Sequence, residues 1–288
     1  MRKLIVNADD FGFTRGVNRA VVRAFKTGIV TSTTIMANGE AFDDAVELAL
    51  ANPGLGVGCH LAVVGGLPVS PPADVSSLVD SSGFLPRTLT GLMFKLARGS
   101  VPTEELMREF RAQLERVARA GIELTHLDTH KHSHTHPRVM KAVAKVAVEF
   151  GIKCVRNPFE SSFSLKRHRR ISDWSYLKQS ALSAAISPGA IQFKRLVREN
   201  DLKTPDRFFG VSATGMLDSA TIRSIMESLQ EGTTAELMCH PGEYDADLER
   251  AHTRLKRERE SELEALRDPA LRRLAAAQGI ELINYREL

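Results

Sequence analysis

No stretch of the chain approaches the roughly 18 apolar residues in a row that a membrane-crossing helix needs. The apolar run nearest the start, Leu4-Ile5-Val6, is too short for the core of a secretory signal. Cysteine is scarce as well. Cys59, Cys154 and Cys239 are odd in number, far apart and each set beside apolar residues, which argues against a disulfide framework or a thiolate metal cage and suits reduced thiols. There is no internal repeat and no low-complexity tract, which removes repeat architectures. The expected location is the cytoplasm, with peripheral contact at the inner face of a membrane left open.

What is present is an ordinary globular composition, with 43% apolar and 26% charged residues. At 288 residues the chain is long enough for an extensive core, in one large α/β domain or two small ones. The formal charge of +4 is uneven. Phe163 to Lys203 holds nine Lys or Arg against Asp173, Glu199 and Asp201, so the rest of the chain is slightly acidic.

Strand and helix signals alternate. Leu4 to Val6 reads as a buried strand, Val17 to Phe25 as a helix closed by Gly28 as a C-cap, and Ile29 to Met36 as a second strand. A helix over Ala41 to Ala51 and a strand over Leu55 to Leu61 follow. That rhythm predicts a parallel sheet with helices packed outside it. Gly65 to Gly83, rich in Gly, Pro and Ser, reads as a long loop of the kind that covers a site. Helices are expected over Leu89 to Arg98 and Thr103 to Ala120, the second with a capping box and acids at its start. Further on come a strand over Glu123 to Asp128, a helix over Pro137 to Phe150 and a short strand over Lys153 to Arg156. The basic segment interrupts the rhythm with helices near Trp174 to Ile186 and Ile191 to Glu199. Phe208 to Val211 resumes strand character, followed by a helix over Ala220 to Gln230, a strand over Ala235 to Cys239, a charged helical stretch from Asp247 to Leu266 and a last strand, Ile280 to Ile283.

Four of these strands end in chemistry: Asp9 and Asp10 on the first, His60 on the third, Asp128 and His130 on the next long one, and His240 near the end. Carboxyl ends of parallel strands converge on one face, where ligands bind. Taken alone, Asp9 and Asp10 suit a turn and a helix cap, and His60 suits a satisfied core histidine. Their shared placement favours a site instead. His126 to His136 holds five histidines at alternate positions, which in an extended chain share a side. One or two of these can be ligands and the others substrate or outer-sphere contacts. His240 suits acid and base work, because Pro241-Gly242 turns the chain immediately after it. Cys59 and Cys239 precede site histidines by one residue and so should point away, into the core. One Asp with two His makes a mixed oxygen and nitrogen set suited to a divalent ion, Zn²⁺, Ni²⁺, Co²⁺ or Mn²⁺, with Mg²⁺ also open.

The pieces Val6-Asn7-Ala8-Asp9-Asp10-Phe11-Gly12, Gly28-Ile29-Val30-Thr31-Ser32-Thr33-Thr34, Gly58-Cys59-His60, His126-Leu127-Asp128-Thr129-His130-Lys131-His132 and Cys239-His240-Pro241-Gly242 resemble, in order, the YdjC-like carbohydrate deacetylase family, which includes chitooligosaccharide deacetylases. The resemblance implies an irregular (β/α) barrel of polysaccharide-deacetylase type. It implies a metal held by Asp10, His60 and His130, with Asp9 as general base and His240 as the acid that protonates the leaving amine. Asp128 takes an orienting role in the outer sphere. His132 and Arg156 are further candidates for substrate or outer-sphere contact.

The basic segment at 163–203 departs from the simplest chitooligosaccharide-type members. It mixes cations with Trp174, Tyr176, Leu177, Leu182, Ile186, Ile191 and Phe193, which suits either a solvated surface or rest on anionic lipid headgroups. The whole chain also resembles the hopanoid-biosynthesis-associated branch of the family, which implies an N-acetylglucosaminyl head on a hopanoid lipid as substrate. The expectation is thus a single metal-dependent deacetylase domain over 1–288 with an N-acetylated amino-sugar partner; a homodimer is left open. The rivals are a chitooligosaccharide deacetylase, a phosphoesterase or amidohydrolase of the His-rich barrel type, and a non-catalytic sugar-lipid binder. The opening Asn-Ala-Asp-Asp, in place of a His-x-His pair, weighs against the second rival. No recognition motif for nucleic acid accompanies the basic segment.

Overall fold

The computed structural model describes residues 1–161 and 189–288. The strand expected at Leu4 to Val6 is longer, β1 (Arg2–Phe11), and from Leu4 onward every residue in it is buried, the carboxylates included. Helix α1 (Arg15–Thr27) then packs on the sheet, with the Thr14 hydroxyl accepting from the Val17 N–H at its start. Asp10 therefore does not cap this helix. Gly28 is its C-cap, as expected, in extended backbone with its N–H donating to the Ala24 carbonyl. Glycine is needed there because a Cβ would lie 2.5 Å from the Leu266 carbonyl oxygen.

The alternation continues through β2 (Ser32–Ile35), α2 (Phe42–Leu50) and β3 (Gly56–Leu61), and all of the strand pairings are parallel. After β3 the chain runs through the Gly- and Pro-rich loop, with one 3₁₀ turn at Pro72–Val75, into α3 (Leu89–Ala97) and α4 (Thr103–Arg119). The capping box expected at Thr103 is not formed; Pro102 occupies the cap and offers no side-chain bond. The strand expected over Glu123 to Asp128 shortens to β4 (Leu127–Thr129), and α5 (Pro137–Glu149) follows. Lys153 to Arg156 makes only isolated bridges, Leu127 with Val155 and Cys154 with Lys203.

Of the two helices expected in the basic segment, one is α6 (Ala190–Glu199); the other, near Trp174 to Ile186, lies outside the described residues. The chain then adds β5 (Arg207–Phe209), α7 (Ser219–Glu227) and β6 (Thr234–Cys239). The charged stretch is two helices rather than one, α8 (Ala246–Arg250) and α9 (Glu258–Leu266). Helix α10 (Pro269–Ala277), capped by Asp268, was not anticipated, and β7 (Ile280–Ile283) closes the series.

The sheet runs β4-β3-β2-β1-β6-β5, with β7 also on β1, and curls into a half-barrel with helices around it: the irregular α/β barrel expected. β6 covers Lys3 to Ala8 on one edge of β1, so β7 (at Arg2 to Ile5) and β2 (at Asn7 to Phe11) must share the other. Between Ala8 and Phe11 the pairing with β2 slips by one residue, and Asp10 sits at φ 68°. This is a β-bulge, and aspartate tolerates its left-handed position better than most residues. Neighbours in a regular strand face opposite ways. The bulge breaks that alternation where two adjacent carboxylates serve one site.

Gly58, in the middle of β3, faces the ring of His126, which lies stacked 3.6 Å from Tyr285; a Cβ at Gly58 would meet that ring at 2.5 Å. Because the ring is held from behind, Gly58→Ala is expected to destabilise the fold by about 2 kcal/mol, read as a lower urea midpoint with an unchanged slope.

Candidate functional site

Because the strands are parallel, Asp9, Asp10, His60, Asp128, His130 and His240 all arrive at one end of the sheet. Asp10 Oδ1 lies 3.3 Å from His130 Nδ1 and 3.6 Å from His60 Nε2. The two ring nitrogens are 3.2 Å apart. Donors at about 2.1 Å from one ion would be separated by about 3.4 Å in a tetrahedral set and about 3.0 Å in an octahedral one. The observed triangle fits an ion of that class. His60 is also oriented as a ligand would be: its Nδ1 bonds Asp128 at 2.7 Å, which points Nε2 at the triangle. Thr34 Oγ1 lies 3.2 Å from both Asp128 Oδ2 and His60 Nδ1.

A second grouping, Asp9 with His60 and Asp128, has similar spacing but already contains a cation. The buried Arg156 donates from Nη1 and Nη2 to the two oxygens of Asp9 at 2.7 and 2.6 Å. It also lies 2.6 Å from Asp128 and donates from Nε to Glu236 at 2.8 Å. Tyr285 donates its hydroxyl to the far oxygen of Glu236 at 2.6 Å. Arg156 thus binds three carboxylates beside the site; nothing in the sequence pattern around it specified that.

The protonation states follow from this crowding. Burial alone would raise the pKa of Asp9, yet the Arg156 guanidinium brings it well below the carboxylate range. Asp10 behaves likewise, with burial offset by Arg259 and His130. Burial disfavours charge on His60, but Asp128, Asp9 and Asp10 overcome it and carry its pKa up to about 9, so the surplus negative charge around this ring favours a cation at the site. His240 is the reverse case: burial pushes it down to about 4 despite Asp9 and Asp10, which leaves the ring neutral at pH 7. Its Nδ1 is buried without a hydrogen-bond partner among the described residues.

The histidine-rich stretch divides by role. His130 joins the triangle. Lys131 and His132 both take left-handed backbone, at φ 55° and 52°, which turns the chain out of extended geometry and ends the alternate-residue pattern. His132 stands edge-on to Phe208, its Nδ1 unpartnered among the described residues. His126 is buried against Tyr285, His134 lies between Thr129 and the Arg156 carbonyl, and His136 caps α5. These three shape the protein around the site rather than line it. Cys59 and Cys239 are buried free thiols, in agreement with their expected core placement.

Three participants were missed. Glu236 is a lone acid in an otherwise apolar strand, a signal that could have been noticed. Arg259 donates to Asp10 Oδ2 at 2.5 Å, and Glu262 accepts from the backbone N–H of His240 at 2.6 Å; both lie in the stretch expected only as a charged helix.

A family model described as YdjC-like protein matches residues 3–277. A carbohydrate deacetylase of Brevibacillus brevis is 36% identical over 289 residues, covering 99% of each chain. One of Geobacillus stearothermophilus is 35% identical over 286 residues, covering 99% of this chain and 98% of its own. Among solved structures, an Enterococcus faecalis V583 protein proposed as a cellobiose-phosphate cleavage protein superposes with a TM-score of 0.80 at 26% identity, over 99% of this chain and 98% of that one.

Arg156→Met leaves three buried carboxylates without their shared cation, and is expected to cost about 3–5 kcal/mol of stability, measured by chemical denaturation. Burial also raises Glu236 from 4.5 to about 7, although Arg156 and Tyr285 pull it down. Its folded pKa is above its unfolded one, so its contribution is complete below pH 4.5 and disappears as pH rises through about 7. Glu236→Gln should therefore flatten the fall in unfolding free energy over that window, and an unchanged pH profile would rule the assignment out.

Proposed function

Since the chain belongs to the YdjC-like protein family, we propose that it is a metal-dependent hydrolase that removes the acetyl group from the nitrogen of an N-acetylated amino sugar. Relatives named carbohydrate deacetylases and the Asp10, His60 and His130 triangle support deacetylase activity. The observation that carries the chemistry is that triangle, with an ionised Asp9 and a neutral His240 beside it.

In this reading Asp10 Oδ1, His60 Nε2 and His130 Nδ1 hold the divalent ion, of the Zn, Ni, Co, Mn or Mg class. When bound, such an ion supplies Lewis acidity and makes water a competent nucleophile near neutral pH. Asp9 accepts the proton of the attacking water. Both its oxygens are gripped by Arg156, so it is well placed but weakly basic, and the proton must move on. His240, neutral at rest, takes up charge within the cycle and donates the proton to the departing nitrogen. Each such transfer is typically worth 10²- to 10⁴-fold. Asp128 keeps Nδ1 of His60 as the bonded side and Nε2 as the ligating side.

The finer reading is that the sugar is the N-acetylglucosaminyl head of a hopanoid lipid, acted on by one domain over 1–288 that rests on the membrane through its basic insertion. It is supported by the sequence resemblance and by α6, where Lys194, Arg195 and Arg198 are exposed beside an Ile191 that is 82% exposed. No helix among the described residues is long and apolar enough to cross a membrane.

Metal-reconstituted protein is expected to release acetate from N-acetylglucosaminyl lipids, followed by mass spectrometry, to lose that activity on chelation and to regain it on adding the ion back. Turnover of chitooligosaccharides alone would shift the substrate, and turnover of neither class would overturn the reading. Asp9→Asn should lower kcat by about 10²- to 10⁴-fold; undiminished acetate release would remove Asp9 as the base.

A further inference from the structure

Helix α9 carries two buried ionic side chains one turn apart, and each reaches a different strand end of the site. Glu262 accepts from the N–H of His240 at 2.6 Å and from that of Gly215 at 2.9 Å. Arg259 donates from Nη2 to Asp10 Oδ2 at 2.5 Å and from Nε to the Leu255 carbonyl at 3.3 Å, and its own carbonyl accepts from the Gly242 N–H at 3.1 Å. Gly242 is close against it: a Cβ there would come within 2.8 Å of Arg259 Cδ. The arginine is therefore fixed at its backbone and along its stem, with its charge against one oxygen of Asp10. The other oxygen, Oδ1, is the one that faces His60 and His130.

We propose that Arg259 is a positioning residue for Asp10: it confines the carboxylate to a single oxygen donor, in the bulged conformation, and withdraws electron density from it. This rests on the reading that Asp10, His60 and His130 hold an ion. A carboxylate free at both oxygens can turn to clasp a cation with the pair, binding it more tightly and quenching its Lewis acidity. A guanidinium on Oδ2 prevents the clasp and repels the ion. The arrangement weakens ion binding and strengthens the chemistry the ion performs, whereas a packing role would support both together.

The test is Arg259→Met, close in volume and without charge. Zn²⁺ or Co²⁺ affinity is measured by competition with a chromophoric chelator, alongside kcat and KM for acetate release. Ion binding is expected to tighten by about tenfold on loss of the neighbouring charge. Over the same change kcat should fall by about 10- to 100-fold, with KM little altered. Arg259→Lys, which keeps the charge without the fork, should return ion affinity toward wild type while kcat stays reduced, and carries the comparison if Arg259→Met does not fold. Ion affinity and kcat falling together, or neither changing, would overturn the proposal while leaving the functional reading intact. Wild-type protein that binds no ion would overturn both.

Discussion

The structure depends most on how negative charge is tolerated in its interior. Asp9, Asp128 and Glu236 are buried side by side, from β1, β4 and β6, and Arg156 is the cation between them. Burying one such carboxylate alone is prohibitive, and three are tolerable only because one planar fork satisfies several oxygens at once. The pairing also joins distant parts of the sheet. Arg156 follows the bridge at Val155 that extends the sheet beyond β4, and Glu236 passes the contact on to Tyr285 next to the last strand. Since three acids face one guanidinium, the cluster retains negative character. That excess raises the pKa of His60 and makes the triangle to which His60 belongs suited to a cation.

The second constraint is local. A strand cannot present two consecutive side chains to one site, and the opening strand does so only by a bulge with Asp10 in left-handed backbone. One carboxylate then meets Arg156 and the other meets Arg259. Identical side chains one residue apart thus acquire different partners.

Much of this was legible from residue order. Apolar runs ending in Asp, His, Asp-Thr-His and His-Pro located the strand ends, and parallel alternation implied that those ends meet. The bulge was not legible, because Asp-Asp-Phe-Gly is equally compatible with a turn after the strand. Nor was the burial of Arg259. Its partner is 249 residues away, and its neighbours Lys256, Arg257, Glu258 and Glu260 make the segment read as solvated. Glu236 differs, since an acid inside Ala235 to Cys239 conflicts with the strand around it. The division of the histidines depended on the turn at Lys131 and His132, where left-handed backbone overrides the extended spacing that made all five look equivalent.

The shared edge of β1 bears on when the site comes into being. Its upper half lies beside β2 soon after synthesis begins, but its other neighbours are residues 234–239 and 280–283, and the cations that neutralise Asp9 and Asp10 are residues 156 and 259. A nascent chain leaving the ribosome therefore carries a first strand whose two terminal carboxylates lack their buried cations until nearly all of the polypeptide has emerged. Contacts of such long sequence separation fold late. Completion of the sheet and neutralisation of the Asp9 and Asp10 carboxylates therefore both wait on residues from the second half of the chain.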